Sequence, residues 1–245
     1  MADLRPDLRL DLIPGTLCDD RMWSRLAPLL DQFALHHVPL HEARTRTQMQ
    51  ELISTHSAPR SHLVGFSLGA YLALEHAVAN PQRIASLVLI ANSAKGLLPT
   101  EVLARQRIVA MLERNAYSGM TRQRLRELLH PSHVDDVAIT SLIQQMAVDL
   151  GKEVLLAQFR ATIDRLDLME QLATLDIPVL IIGAEGDQLV DSADLRAMAA
   201  RLPKGQLLVL DEDSSEASGH MIPLEAPVTL AARLQAFYQN LPASQ

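Results

Sequence analysis

Cysteine is almost absent from the 245-residue chain: Cys18 is the single thiol, and one thiol cannot close an internal disulfide. No run of lysine and arginine occurs either, and a formal net charge of -7 with a pI near 5.7 excludes the basic face that neutralises nucleic-acid or anionic-membrane phosphates. No window approaches the roughly 20 consecutive apolar residues that span a bilayer. Met1 to Asp11 alternates leucine with arginine and aspartate and holds no apolar stretch of signal-peptide length. Internal repeats and low-complexity tracts are missing as well. These absences predict a cytoplasmic protein with no nucleic-acid or membrane partner.

What is present is apolar. Hydrophobic residues make up 48% of the chain and charged ones 21%, enough for one substantial core, or a core domain with a smaller inserted one. Leu8, Leu10 and Leu12 alternate with charged residues up to Pro14-Gly15, the period-two pattern of a strand feeding a loop. Ala34 to Val38 is a second strand. Leu63 to Gly65, Leu87 to Ala91, Val179 to Gly183 and Leu207 to Leu210 are short apolar runs closed by turn residues, as expected of strands covered on both faces. Helical stretches such as Leu68 to Ala79 and Pro227 to Tyr238 lie between or after them, so the fold class is α/β with a mostly parallel sheet of about six strands.

The rhythm breaks in the middle. Between about Leu97 and Leu175 no strand is readable, while Ile108, Val109 and Leu112, then Leu142, Ile143 and Met146, then Leu155, Phe159, Ile163 and Leu166 recur at helical spacing. We read an all-helical cap over residues 97–175, inserted between core segments 1–96 and 176–245. Most of its apolar positions are expected to pack in cores, and Met111, Met120, Met146 and Phe159 are the side chains suited to contacting an apolar substrate.

The chemistry centres on Gly65-Phe66-Ser67-Leu68-Gly69, which follows an apolar strand and opens a helix. Glycine at both ends lets the backbone turn sharply and hold the serine hydroxyl clear of the sheet. The pentapeptide alone is a weak signal: with Gly and Ser each at roughly 7% usage, its three fixed positions, Gly, Ser and Gly, match by chance in about one chain of this length in twelve. A serine nucleophile also needs an imidazole to take its proton and an acid to orient the imidazole. Of nine histidines, His220 stands in a loop after the last strand and before the last helix. His36, His37 and His41 cluster without a carboxylate or cysteine at ligand spacing and read as surface residues, so no metal is expected. His130 and His133 flank Pro131 in a loop of the expected cap, and His62 and His76 lie on the wrong side of the serine turn or along its helix.

Asp187 follows the strand ending near Ile182, at the carboxyl end of the sheet where open α/β folds place their sites; Glu185 and Asp191 are its rivals. The position after the preceding strand reads Ala91-Asn92-Ser93 and offers no carboxylate. Two backbone N–H groups, of Thr16 in the loop after the first strand and of Leu68 after the serine, are placed to meet a developing oxyanion, and Gly15 is expected to let a substrate approach. Cys18 has no basic neighbour in sequence and Trp23 reads as a packing residue, so neither is given a role.

Taken together, these segments resemble the capped α/β-hydrolase superfamily, the branch holding bacterial carboxylesterases, acyl-carrier methyl-ester esterases and carbon–carbon bond hydrolases. Gly65 to Gly69 resembles the nucleophile elbow, Gly183 to Asp187 the acid turn, and Gly219-His220 through Pro227 the histidine loop, in the order Ser, acid, His. The resemblance implies a serine hydrolase of small-molecule carboxylic esters or thioesters, with Ser67, Asp187 and His220 catalytic, Thr16 and Leu68 in the oxyanion hole, and no cofactor. It equally admits other catalysis on the same scaffold, such as carbon–carbon hydrolysis, acyl transfer or lyase chemistry, or a non-catalytic small-ligand receptor. Three departures stand out. Pro14 occupies the place of the usual histidine before Gly15, four residues rather than three separate Gly183 from Asp187, and only seven residues precede the first strand, where the family has an initial hairpin.

Overall fold

A computed structural model of the chain describes residues 8–211 and 216–241; the reading of residues 1–7 lies outside the described part. Six strands form one sheet: β1 (Arg9–Ile13), β2 (Ala34–His37), β3 (Ser61–Phe66), β4 (Ile84–Ile90), β5 (Val179–Ala184) and β6 (Gly205–Leu210). Every pairing is parallel, in the order β2-β1-β3-β4-β5-β6. The six expected strands are all present, with ends displaced by at most three residues. The chain reverses its direction of sheet growth between β1 and β3, and the crevice outside the carboxyl ends of those two strands is where such sheets bind ligands.

Alternating side chains of the central strands serve two cores. Leu10, Leu12, Val64, Phe66, Val88, Ile90, Leu180 and Ile182 face one layer, whereas Ile13, Leu63, Leu87, Leu89, Val179 and Ile181 face the other. With both faces covered, each buried aliphatic side chain contributes about 1.5–3 kcal/mol of transfer free energy, which explains why these strands read as continuous apolar runs.

On the second face lie α1 (Arg46–His56), α2 (Leu68–Ala79) and, beyond the middle of the chain, α6 (Ser192–Ala199). Thr45 and Gln48 close a capping box at the start of α1, satisfying donors that a helix start otherwise leaves unpaired. The sequence Leu-Gly-Ala-Tyr-Leu-Ala-Leu makes α2 apolar all round because it is buried all round; Asn80-Pro81 then stops it.

Between β4 and β5 the described residues contain no strand. They form α3 (Pro99–Arg114), α4 (Arg122–Leu128) and α5 (Val137–Thr162), as the helical spacing predicts. Two details differ from that reading. Gly151, at φ 74°, splits α5 into two helical stretches with a kink. Ile108, Met111 and Leu166 are exposed, at 39%, 55% and 64%, Leu166 because the helix has ended four residues earlier. The first face of the sheet is completed by Trp23, by α7 (Ile222–Glu225) and α8 (Pro227–Gln239), and by Leu128, Ile139, Ile143 and Met146 from the helical segment.

Candidate functional site

β3 ends at Phe66 and the chain enters α2 through Ser67, whose φ of 50° and ψ of -112° are unfavourable for a residue with a Cβ. Such a conformation costs on the order of 1–3 kcal/mol and persists only where its surroundings over-determine it. Here the Ser67 N–H donates to the Ile90 carbonyl at 2.8 Å and its carbonyl accepts from the Tyr71 N–H at 3.1 Å. The flanking glycines are required by space: a Cβ on Gly65 would sit 2.5 Å from the Ala70 Cα, and one on Gly69 would run into the Ile13 carbonyl. The turn thus docks β3, α2 and the end of β1 at backbone contact and leaves the Ser67 hydroxyl partly open to the cleft.

The imidazole of His220 reaches that hydroxyl. Its Nε2 lies 2.9 Å from Ser67 Oγ and its Nδ1 2.8 Å from Asp187 Oδ2. The geometry fits the tautomer in which Nδ1–H donates to the carboxylate and Nε2 accepts from the hydroxyl. The Asp187 side chain is 1% exposed. Its Oδ1 accepts from the Leu189 N–H at 2.8 Å and the Val190 N–H at 3.2 Å, so both carboxylate oxygens are engaged and the group is held in one orientation. The rival acids are occupied elsewhere: Glu185 pairs with Arg196 at 3.3 Å, and Asp191 caps α6 through the Ala193 N–H. The residue added between Gly183 and Asp187 is absorbed in a turn that the Asp187 N–H closes onto the Ala184 carbonyl.

His220 is held from behind. Its N–H donates to the Leu128 carbonyl at 2.8 Å, its ring packs against Phe66 at 5.3 Å between centroids, and a Cβ on Gly219 would meet the His130 nitrogen at 2.5 Å. Beneath this loop lies Glu225, 3% exposed, whose Oε1 accepts from the N–H groups of His130 (2.7 Å) and Gly219 (3.2 Å) while Oε2 accepts from Ser218 Oγ. Burial pushes its carboxyl above the usual carboxylate range despite those donors. The sequence reading passed over this residue; its place five positions after His220 was visible, but its partner at 130 was not.

The loop after β1 carries Thr16. Neither the Thr16 N–H nor the Leu68 N–H has an acceptor among the described residues, which leaves both donors available to a ligand. Leu17, at φ 52°, follows in a turn closed by the Cys18 N–H on the Gly15 carbonyl, and its own N–H donates to Gln158 Oε1 at 2.8 Å. Gln158, on α5, was also missed, since no local pattern marks a contact across 141 residues. Gly15 is also required by the packing: a Cβ there would strike the Phe66 ring at 2.7 Å and sit 3.3 Å from the Ser67 Cβ. Burial pushes the Cys18 thiol up to about 12, which leaves it an unreactive packing group. Met146 is wholly buried in the core and Met111 is mostly exposed, so of the four side chains named for a pocket wall only Met120 and Phe159 remain half-buried beside Leu17. Among the described residues no group of three or more His, Cys, Asp or Glu side chains is placed to share a metal ion.

A six-stranded parallel sheet with a serine on a strained strand-to-helix turn, bridged by histidine to aspartate, defines a class of hydrolytic fold rather than one enzyme. A model of the alpha/beta hydrolase family matches residues 12–233, and the chain belongs to that family. It is 28% identical over 235 residues to a pimeloyl-[acyl-carrier protein] methyl ester esterase of Xanthomonas campestris pv. campestris, covering 89% of this chain and 88% of that protein. It is 27% identical over 203 residues to a 2-hydroxy-6-oxononadienedioate/2-hydroxy-6-oxononatrienedioate hydrolase of Pseudomonas putida, covering 80% and 68%. Among solved structures, a thermophilic esterase from Thermogutta terrifontis superposes with a TM-score of 0.81 at 21% identity over 96% of this chain and 91% of that one. That likeness speaks for the shared fold. The chain is an α/β-hydrolase-fold enzyme of the hydrolase class, and no helix among its described residues is long and apolar enough to cross a membrane.

Proposed function

We propose that the protein hydrolyses a small-molecule carboxylic ester or thioester through an acyl-enzyme on Ser67. His220 Nε2 takes the hydroxyl proton as Ser67 Oγ attacks the carbonyl carbon. Asp187 steadies the imidazolium. The N–H groups of Thr16 and Leu68 receive the oxyanion, a contribution worth about 3–4 kcal/mol per donor in enzymes of this kind. His220 then returns the proton to the leaving alcohol or thiol, and water, deprotonated by the same imidazole, releases the acid. The helices α3 to α5, within residues 97–175, form a cap over the cleft, between core segments 1–96 and 176–245. A lone buried thiol suits the reducing cytoplasm.

The observation that carries this reading is the continuous hydrogen-bonded path Ser67 Oγ, His220, Asp187, with distances of 2.9 and 2.8 Å. A fluorophosphonate probe is expected to label the protein at Ser67, and a short-chain 4-nitrophenyl ester to be cleaved, both abolished in Ser67→Ala. Labelling or turnover that survives in Ser67→Ala removes Ser67 from the mechanism. The likeness to the Pseudomonas putida hydrolase supports a second reading, hydrolysis of a carbon–carbon bond next to a ketone, in which esters are poor substrates although the probe still labels.

A further inference from the structure

We propose that the substrate carries an anionic group, a carboxylate in its simplest form, received by Arg105 and Arg165 at the seam between α3 and the segment that follows α5. The inference rests on the hydrolase reading above and adds the charge of the substrate to it.

Both guanidiniums are half-buried, and neither has a carboxylate ion-pair partner among the described residues. Each lies against a ring: the Arg105 Cζ is 5.7 Å from the centre of Phe159, and the Arg165 Cζ 5.3 Å from that of Tyr71. Among the described residues the only hydrogen bond from either guanidinium runs from Arg105 Nη1 to Thr162 Oγ1 at 3.0 Å, and Arg165 Nε is buried with no partner there. Stacked faces with unused edges are the arrangement in which arginine receives a carboxylate through two parallel N–H donors.

Electrostatics agrees with the geometry. Burial, together with the neighbouring Arg165, pulls Arg105 down to about 10, and burial pulls Arg165 down as well. Glu101 acts favourably on both, but its carboxylate caps α3, accepting from the Leu98 N–H at 2.6 Å. Two half-buried cations close enough for one to be felt by the other are costly unless an anion joins them.

The pair connects to the serine cleft. Thr162 stands one helical turn, about 6 Å, beyond Gln158, and Gln158 holds the Leu17 N–H next to Thr16. The Gln158 side chain is fully buried, yet its Nε2 has no partner among the described residues, and neither has the Tyr117 hydroxyl. Tyr117 packs with Val109 and Phe159 in the apolar cluster that includes Leu17. Gln158 Nε2 and the Tyr117 hydroxyl are therefore buried donors without an acceptor among the described residues, near both Leu17 and the Phe159 ring that Arg105 covers, groups that a polar chain ending in a carboxylate would satisfy.

The anion can sit on either arm of an ester, and matched pairs separate the two. Monomethyl adipate against methyl hexanoate tests the acyl arm; carboxymethyl butyrate against propyl butyrate tests the alcohol arm. In one pair the anionic member is expected to have the higher kcat/KM by about ten- to a hundredfold, the weight of one charge-assisted hydrogen bond. In the Arg105→Gln/Arg165→Gln variant the ratio falls to near one, and either single variant serves if the double one does not fold. Where the esters are cleaved, absence of a preference in both pairs, or a preference that survives in the variant, overturns the proposal. Calorimetry on Ser67→Ala reads the site without turnover, with adipate and the carboxymethyl butyrate ester as ligands. Binding lost on adding the arginine substitutions supports the site; binding that is absent from Ser67→Ala, or indifferent to those substitutions, overturns it. If no ester is cleaved while arginine-dependent binding persists, the hydrolase reading fails and the anion site stands.

Discussion

Glu225 Oε1 accepts the His130 N–H at 2.7 Å, tying the histidine loop to the segment that follows α4 across 95 residues of sequence. The same carboxylate holds Gly219 and Ser218, so the backbone on the amino-terminal side of His220 is fixed by one buried acid. Truncation in Glu225→Ala leaves two buried N–H groups without an acceptor, each worth about 1–3 kcal/mol. We expect a loss of about 2–5 kcal/mol in urea unfolding. Turnover should fall as well, because the imidazole loses its support.

Glutamine at the same position isolates the charge. Burial raises the Glu225 carboxyl above its ordinary 4.5 in the folded state, so its contribution to stability is fully present below that ordinary value and is lost as pH rises through the raised one. Glu225→Gln carries no such titration. Its unfolding free energy should therefore gain on that of the parent as pH climbs above about 4.5. A difference between the two proteins that stays flat with pH would show that the carboxyl is not shifted.

Asp187 binds the histidine through Oδ2 and two backbone N–H groups through Oδ1. In Asp187→Asn the amide can replace the shape but not the charge, and it favours the wrong imidazole tautomer. On the proposed mechanism kcat falls by about three to four orders of magnitude, with KM little changed and the fold retained. A drop smaller than about tenfold would point to another acid.

The strand pattern was legible because each strand is covered on both faces, so Leu63 to Gly65 or Val179 to Gly183 had to be apolar without interruption. Ser67 and Asp187 were legible for a related reason, each following a readable strand closely at the same edge of a parallel sheet, and His220 because it stands between the last readable strand and the last helix. Contacts that bind distant elements were not. Gln158 looks like any polar residue of a long helix, and its bond to Leu17 exists only once α5 crosses the loop after β1. The exposure of Leu166 was hidden because apolar periodicity ran on past the end of α5.

Strain at Ser67 predicts a stability–activity trade. Alanine keeps the Cβ that makes φ 50° unfavourable, whereas glycine accepts that conformation freely. Relief of about 1–3 kcal/mol of strain is partly offset by the larger unfolded-state entropy of glycine, about 0.5–1 kcal/mol. Ser67→Gly should therefore exceed Ser67→Ala by about 1 kcal/mol in unfolding free energy, though on the proposed mechanism neither variant turns over. Equal stabilities would mean that the turn relaxes when the hydroxyl is removed.

Gln158 offers the test of whether the helical segment supports the loop after β1, which on the proposed mechanism supplies an oxyanion donor. Leucine at this position retains bulk but leaves buried and unpaired the N–H of Leu17, a residue already at φ 52°. The loop then has reason to shift, carrying the Thr16 N–H with it. A lost donor of this type costs about 3–4 kcal/mol of transition-state stabilisation when complete, so a partial displacement should lower kcat by about ten- to a hundredfold. Burst kinetics distinguishes this from a global defect: the acylation step slows, while labelling of Ser67 by a fluorophosphonate also slows and the urea midpoint moves only modestly. Unchanged acylation in Gln158→Leu would separate the loop from the helix and assign their contact to folding alone.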